Sequence, residues 1–383
     1  MIRVLFVLDS LRQGGAEKSL VTLLNSLPAD EVTVDVCVST PGGMYANQVP
    51  VGMPVLQPEV RPGGSLKRLV MAATLRLNKL VGKPIHPAQI TWRFVQSEHV
   101  EMRTKYDVAV AYSQGFPTYF VGSRVQARKK IAWVNTDYGK AGYRPELDSN
   151  YYAAYDNIVC VSESALEVFK SKHPGAAAKL VVVRSFVSTD EVRSLAGDAS
   201  PFPVHGCFNI TTVCRLSAPK GLDILVDAAT RLASIGLDFK WHLVGDGDMR
   251  PWVEAQVRRS NLADCVILHG ALPNPYPFMK HCDAYCQPSR FEGFSRTVAE
   301  ARVFAKPIVV TDYQSARDQI IDGDNGLVVE MSGAAVADAL ARLAADPALR
   351  SRLSEGSSRN PSDTTAGVAK VMEMLLSKGR PRR

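Results

Sequence analysis

The chain has 383 residues, 46% of them hydrophobic and 22% charged, with a formal net charge of +7. At roughly 100–200 residues per domain the length suggests two domains, and the composition argues against a disordered, collagenous or coiled-coil chain. The basic balance favours phosphate-bearing or anionic partners without choosing among them. No apolar run approaches the ~18 residues of a membrane span. The apolar start over 1–8 is too short for a signal-peptide core before Asp9 and Arg12 interrupt it. Cys37, Cys160, Cys207, Cys214, Cys265, Cys282 and Cys286 are scattered without a CxxC pair. They suit reduced cytosolic thiols packed as small hydrophobes better than a disulfide scaffold or a zinc ribbon.

In chain order, an apolar block over 2–8 gives way to a polar, Gly-containing loop over 9–15. Residues 16–27 then place Leu20, Val21, Leu24 and Leu27 at helical spacing. This strand–loop–helix unit recurs. Strands are predicted over 32–38, 108–112, 130–134, 158–161 and 180–183, with a helix over 162–172 that Ser162 caps and Pro174 follows. The second half begins again with a strand over 209–216 and a helix over 221–235. Next come a strand over 239–244, a helix over 252–260, strands over 265–269 and 284–287, a helix over 297–305 and a strand over 307–310.

The strands read as continuous apolar runs, which implies burial on both faces in parallel sheets covered by helices. The expected fold class is α/β, with two doubly wound Rossmann-like domains facing across a cleft. A Ser-, Asp-, Pro- and Gly-rich stretch marks the boundary. The division is an N-terminal domain over 1–187, a linker over 188–206 and a C-terminal domain over 207–360. After a polar break over 354–365, the segment 361–383 holds a last helix over 366–378, with room to cross back to the N-terminal domain, and a basic tail. Ligands of such sheets bind beyond the carboxyl ends of the strands. The Gly-rich and polar motifs fall on that edge.

Gly14-Gly15-Ala16-Glu17 follows a strand and opens a helix, so its backbone can approach a ligand and its N–H groups can meet an anion. It also fits an ordinary βα turn, and it lacks the GxGxxG dinucleotide fingerprint. Arg215 and Lys220 flank a loop directly after a strand, where two cations beside a helix start suit a diphosphate, or are simply solvated. Glu292 and Glu300 flank a helix start that Ser295 caps. Both could accept hydrogen bonds from ligand hydroxyls, with N–H groups around Phe294 to Thr297 between them. Asp246-Gly247-Asp248 has a metal-type spacing, but it sits where Asp and Gly favour a turn, and the turn is the reading adopted. His281, Cys282 and Cys286 are read as packing residues. Residues 66–81 form a basic amphipathic helix with Leu66, Leu69, Val70, Ala73, Leu77, Leu80 and Val81 on one face. Lys67, Arg68, Arg76 and Lys79 lie off it, in a stretch with no acid between Glu59 and Glu98. It reads as a helix on an anionic membrane surface, or as a domain helix with a solvated face.

Thr212-Val213-Cys214-Arg215-Leu216 with Lys220-Gly221, then Leu243-Val244-Gly245-Asp246-Gly247, then the run from Pro288 through Glu292-Gly293-Phe294-Ser295 to Glu300-Ala301, and Asp324-Asn325-Gly326-Leu327, resemble the C-terminal domain of family-four glycosyltransferases. Those are retaining enzymes of the GT-B fold. Gly14-Gly15-Ala16-Glu17 matches too. The resemblance covers most of the chain, strongly from 210 to 329 and more weakly in the N-terminal half, which it implies faces the acceptor.

Carried over residue by residue, it implies that Arg215 and Lys220 bind the donor diphosphate, Glu292 the transferred sugar and Glu300 the ribose. Gly293, Phe294 and Ser295 would line the donor, and Gly14 and Gly15 would keep the N-terminal loop close to it. Many members carry a histidine where this chain has Asn135, so an imidazole role is absent there; Asp137 remains a candidate.

The implied activity is retaining transfer of a hexose or N-acetylhexosamine from a nucleotide-diphosphate sugar, UDP-linked, to a lipid-linked glycan or surface-polysaccharide precursor. It would need no metal and no cofactor. The expected setting is the inner face of the cytoplasmic membrane, reached through residues 66–81, with no nucleic-acid partner. The alternatives are a non-catalytic nucleotide-sugar-binding subunit and a GT-B-type epimerase.

Overall fold

Two all-parallel sheets organise the chain in the computed structural model, which describes residues 1–12, 14–82, 84–202, 206–359, 364–377 and 379. The first holds Ile2–Leu8 (β1), Val32–Val38 (β2), Val55–Leu56 (β3), Tyr106–Ala111 (β4), Ala127–Val134 (β5), Asn157–Cys160 (β6) and Leu180–Val182 (β7), in the order β3-β2-β1-β4-β5-β6-β7. The second holds Phe208–Val213 (β8), Phe239–Val244 (β9), Val266–Gly270 (β10), Ala284–Gln287 (β11), Ile308–Thr311 (β12) and Leu327–Val329 (β13), in the order β10-β9-β8-β11-β12-β13. Both are doubly wound α/β sheets. In each, the strand order reverses beside the first strand, between β1 and β4 and between β8 and β11. Those are the positions where open α/β sheets bind ligands.

The central strands are Val-, Ile- and Ala-rich and buried on both faces, as helices on either side of a parallel sheet require. The chain divides into two units, Met1–Phe186 with Thr364–Arg383, and Val187–Asp363. The core of the first gathers Leu5, Val7, Trp92, Tyr119, Phe120 and Phe169. The second has two clusters, one around Leu225, Trp241 and Leu340, the other around Tyr276, Met279, Tyr285 and Tyr313.

Two readings of the sequence are corrected. The stretch 188–206 contains a helix, Thr189–Ala196, capped by Ser188 Oγ, which accepts from Glu191 N at 3.2 Å. Val192 and Ala196 pack into the Tyr276–Met279 cluster, so this segment is structure of the second unit rather than a linker; residues 203–205 lie outside the described residues. The polar break expected from 354 is the end of a helix, Pro347–Arg359, whose Leu349, Leu353, Gly356 and Ser357 are buried. Small residues are needed there, because a Cβ on Gly356 would stand 2.0 Å from Asp324 O. Residues 360–363, 378 and 380–383, including most of the basic tail, lie outside the described residues.

The last helix, Thr364–Leu376, groups with the first unit. Lys129 of β5, itself buried, secures it: its Nζ donates to Met374 O at 2.6 Å and to Ser377 Oγ at 2.7 Å.

Candidate active site

At the switch point of the second sheet, the loops after β8 and β11 are in direct contact. Gly221, between the two loops, has φ +63°, a left-handed conformation that suits glycine, and a Cβ there would lie 1.9 Å from Pro288 O. Arg290 N donates to Pro219 O at 2.7 Å, and Arg290 pairs with Asp223. This tight seam brings Lys220 to Glu292. The ammonium donates to Oε1 at 2.7 Å and to Oε2 at 2.8 Å. The pair is mostly shielded, with side-chain exposures of 23% and 10%. Arg215 is exposed on the same loop as Lys220.

A buried chain of polar groups holds Glu292 from below. Val213 N donates to Tyr285 OH at 3.4 Å, Tyr285 OH to Gln287 Oε1 at 2.9 Å, Gln287 Nε2 to Ser289 Oγ at 2.9 Å, and Ser289 Oγ to Glu292 Oε1 at 2.7 Å. Thr297 Oγ1 donates to Gln287 Oε1 at 3.2 Å, and Ser315 Oγ to the Glu292 carbonyl at 3.0 Å.

Ser295 caps the helix Arg296–Val303 by position but makes no side-chain cap bond. With the Gln319 amide oriented to satisfy both its atoms, Ser295 N is engaged by Gln319 Oε1 at 2.9 Å, and so is not offered to a ligand as expected. Gly293 is buried beside Glu292, while half-buried Phe294 packs on the core. Glu300 is one turn into the helix and buried; its Oε1 accepts from Tyr276 OH at 3.1 Å and pairs with Arg296 Nη2 at 3.3 Å.

Asp246 serves its own turn, as expected. Oδ1 accepts from Gly247 N at 2.7 Å, and Oδ2 pairs with Arg250 at 3.2 Å. Cys282 and Cys286 are buried, and desolvation pushes the Cys282 thiol up to about 12.

The corresponding edge of the first sheet carries the remaining candidates. Gly14 precedes the helix Gly15–Ser26, which follows β1. Asn135, after β5, is committed to its own scaffold: Nδ2 donates to Tyr112 O at 2.5 Å, and its backbone N donates to Gln114 Oε1 at 2.8 Å. Asp137 is buried, with Oδ1 accepting from Lys140 N at 2.9 Å, which makes it a turn residue.

A carboxylate not picked out from the sequence stands at this edge. Asp9, first after β1, accepts from Ser113 Oγ at 3.1 Å. Desolvation by the surrounding protein, reinforced by the charge of Glu17 and opposed by the Ser113 bond, pushes its pKa up to about 6 although its surface reaches water. Its only sequence signal was a charge closing an apolar run. Gln287 and Ser289 were likewise missed, since their bonding exists only in the folded loop.

The basic helix is observed over Ser65–Asn78, with none of its residues buried. Leu66, Leu69, Leu77 and Leu80 are 73%, 67%, 63% and 82% exposed. Met71, Thr74 and Leu75 form the half-buried side. Lys67 departs from expectation, pairing with Glu98 at 2.9 Å, so the outward cations are Arg68, Arg76 and Lys79. No helix among the described residues is long and apolar enough to cross a membrane.

Two Rossmann-like parallel sheets are the arrangement of the GT-B fold. Residues 207–346 match the family described as Glycosyl transferases group 1, so the second unit carries that domain. An Alpha-D-kanosaminyltransferase of Streptomyces kanamyceticus is 32% identical over 152 residues, 39% of each chain. The match thus spans about two fifths of that relative's length. The Lipopolysaccharide core biosynthesis glycosyltransferase LpsE of Rhizobium meliloti is 24% identical over 90% of this chain and 89% of its own. Among solved structures, HepE of Anabaena in complex with UDP and glucose is 19% identical with a TM-score of 0.73, over 98% of this chain and all of that one. This likeness supports the GT-B fold.

Proposed function

We propose that the chain is a retaining glycosyltransferase. It moves a hexose or N-acetylhexosamine from a UDP-linked sugar to a lipid-linked glycan or surface-polysaccharide precursor. The carrying observation is the Lys220–Glu292 pair at the switch point of the second sheet, with Arg215 on the adjoining loop. HepE, with its UDP and glucose, and LpsE, named for lipopolysaccharide core biosynthesis, support the donor and acceptor classes.

Breaking the sugar–phosphate bond places negative charge on the leaving diphosphate and positive charge on the anomeric carbon. Arg215 and Lys220 oppose the first, which leaves no step that requires a metal. Glu292 accepts hydrogen bonds from sugar hydroxyls, and Glu300, steadied by Tyr276 and Arg296, faces the ribose. The acceptor hydroxyl attacks from the leaving-group side and gives its proton to the departing diphosphate, so the anomeric configuration is kept.

Replacing Arg215 and Lys220 together by Ala is expected to abolish UDP release from UDP-sugars while leaving the thermal melt in place. Unchanged turnover would overturn the site, and an inverted product anomer would overturn retention.

The same reading places the protein on the inner face of the cytoplasmic membrane through the helix Ser65–Asn78. Its leucines would enter the acyl boundary, and Arg68, Arg76 and Lys79 would meet anionic headgroups. Flotation with vesicles containing anionic lipid should recover the protein, zwitterionic vesicles should recover less, and Arg68→Gln, Arg76→Gln and Lys79→Gln together should weaken the difference most at low salt. Flotation independent of both changes would leave the helix as a domain element only.

A further inference from the structure

Glu292 is held twice. Lys220 holds it from the solvent side, and Ser289 holds the same Oε1 from within, each at 2.7 Å. The inner support is rigid. Gln287 and Ser289 are fully buried, and the Ser289 carbonyl is itself fixed by Thr311 Oγ1. The direction of the bonding is also fixed. Tyr285 and Thr297 both donate to Gln287 Oε1, which turns Nε2 toward Ser289 Oγ. That oxygen, having accepted from Gln287, has its proton left for Glu292.

If Lys220 alone held Glu292, the arrival of a diphosphate would draw the ammonium away and release the carboxylate at the moment the sugar needs it. We propose that Ser289, oriented by Gln287, is a positioning residue. It keeps the Glu292 carboxylate in place while Lys220 transfers to the donor diphosphate, so that the sugar hydroxyls meet an acceptor already set. Preset groups of this kind contribute because they need no rearrangement when the ligand arrives. The inference rests on the donor-site reading given above.

UDP carries the diphosphate without the sugar, which separates the two steps. Calorimetry would compare UDP with UDP-glucose, UDP-galactose and UDP-N-acetylglucosamine on the full-length wild type, Ser289→Ala and Ser289→Cys. Ser289→Ala should bind UDP within about twofold of wild type. Its preference for the best UDP-sugar relative to UDP should fall by about tenfold, as expected when one hydrogen bond to a charged group is lost. Turnover of that UDP-sugar with water as acceptor should drop alongside. Ser289→Cys, similar in size and a weak donor, should fall between, and it provides the comparison if the alanine variant does not fold.

A preserved preference overturns the positioning role, as does an equal loss for UDP and UDP-sugar, which marks general damage to the loop. A wild type that binds no UDP compound overturns the donor reading itself, and the positioning role with it.

Discussion

Gly221→Ala tests whether the seam between the loops after β8 and β11 builds the site. The new methyl would stand 1.9 Å from Pro288 O, 3.0 Å from Pro288 C and 3.4 Å from Ile224 Cδ1. Normal contact distances require the two loops to part by roughly 1.4 Å or more. The left-handed backbone adds about 1–2 kcal/mol for a residue with a Cβ, and relieving the overlap adds strain of about 1–3 kcal/mol. A loss of about 2–5 kcal/mol is therefore expected, visible as a lower melting temperature. Lys220 precedes Gly221 and Glu292 follows Pro288, so separation of the loops pulls the ion pair apart. A displacement near 1 Å in a positioning element costs on the order of 100-fold. UDP release from UDP-sugars and a thermal melt on the same sample measure both effects. A variant that melts with wild type and releases UDP at an unchanged rate would refute the claim that the seam sets the pair.

Lys129→Met keeps the aliphatic stem and removes the donor to Met374 O and Ser377 Oγ, for an expected loss of about 1–3 kcal/mol. Hydrogen exchange should quicken first in Thr364–Leu376, and unchanged protection there would contradict the anchoring role. Asp9 predicts a pH effect. Its folded-state pKa, pushed up to about 6 by desolvation, lies above the ordinary aspartate range. Stability from this group is thus fully present below the unfolded pKa and is lost as pH rises through about 6. Asp9→Asn should therefore melt higher than wild type at pH 7.5 and show no such gain at pH 4. Because the carboxylate reaches water, the gain should stay below about 1 kcal/mol. Parallel pH profiles for the two proteins would count against this.

The sheets were legible because several central strands hold a short apolar run, such as Val4–Leu8, Val108–Ala111 and Ile308–Val310, and Rossmann order then places the loops. What escaped notice was weakly patterned. The helix Thr189–Ala196 buries only Val192 and Ala196, too few to show a period against its Ser, Asp and Pro neighbours. β3 and β13 are two and three residues long. Lys220 and Glu292 could be singled out because each belongs to a local motif; their contact, 72 residues apart, is a product of the fold. Asp9 with Ser113, and Gln287 with Ser289, needed coordinates. The first pair spans 104 residues, and the second is a side-chain chain whose meaning depends on Tyr285, Thr297 and Glu292 all being in place.

The Lys129 anchor also sets an order of events during synthesis. Its partner carbonyl lies 245 residues further along the chain. At ~5–20 residues per second, roughly 10–50 s pass between the two leaving the ribosome. Throughout that interval the first sheet exists without its closing helix, and the ammonium destined for burial stays in water. The second unit, encoded between them, emerges in full before the first is complete. The first unit's final stability is thus decided last, by a helix that arrives after an entire neighbouring domain.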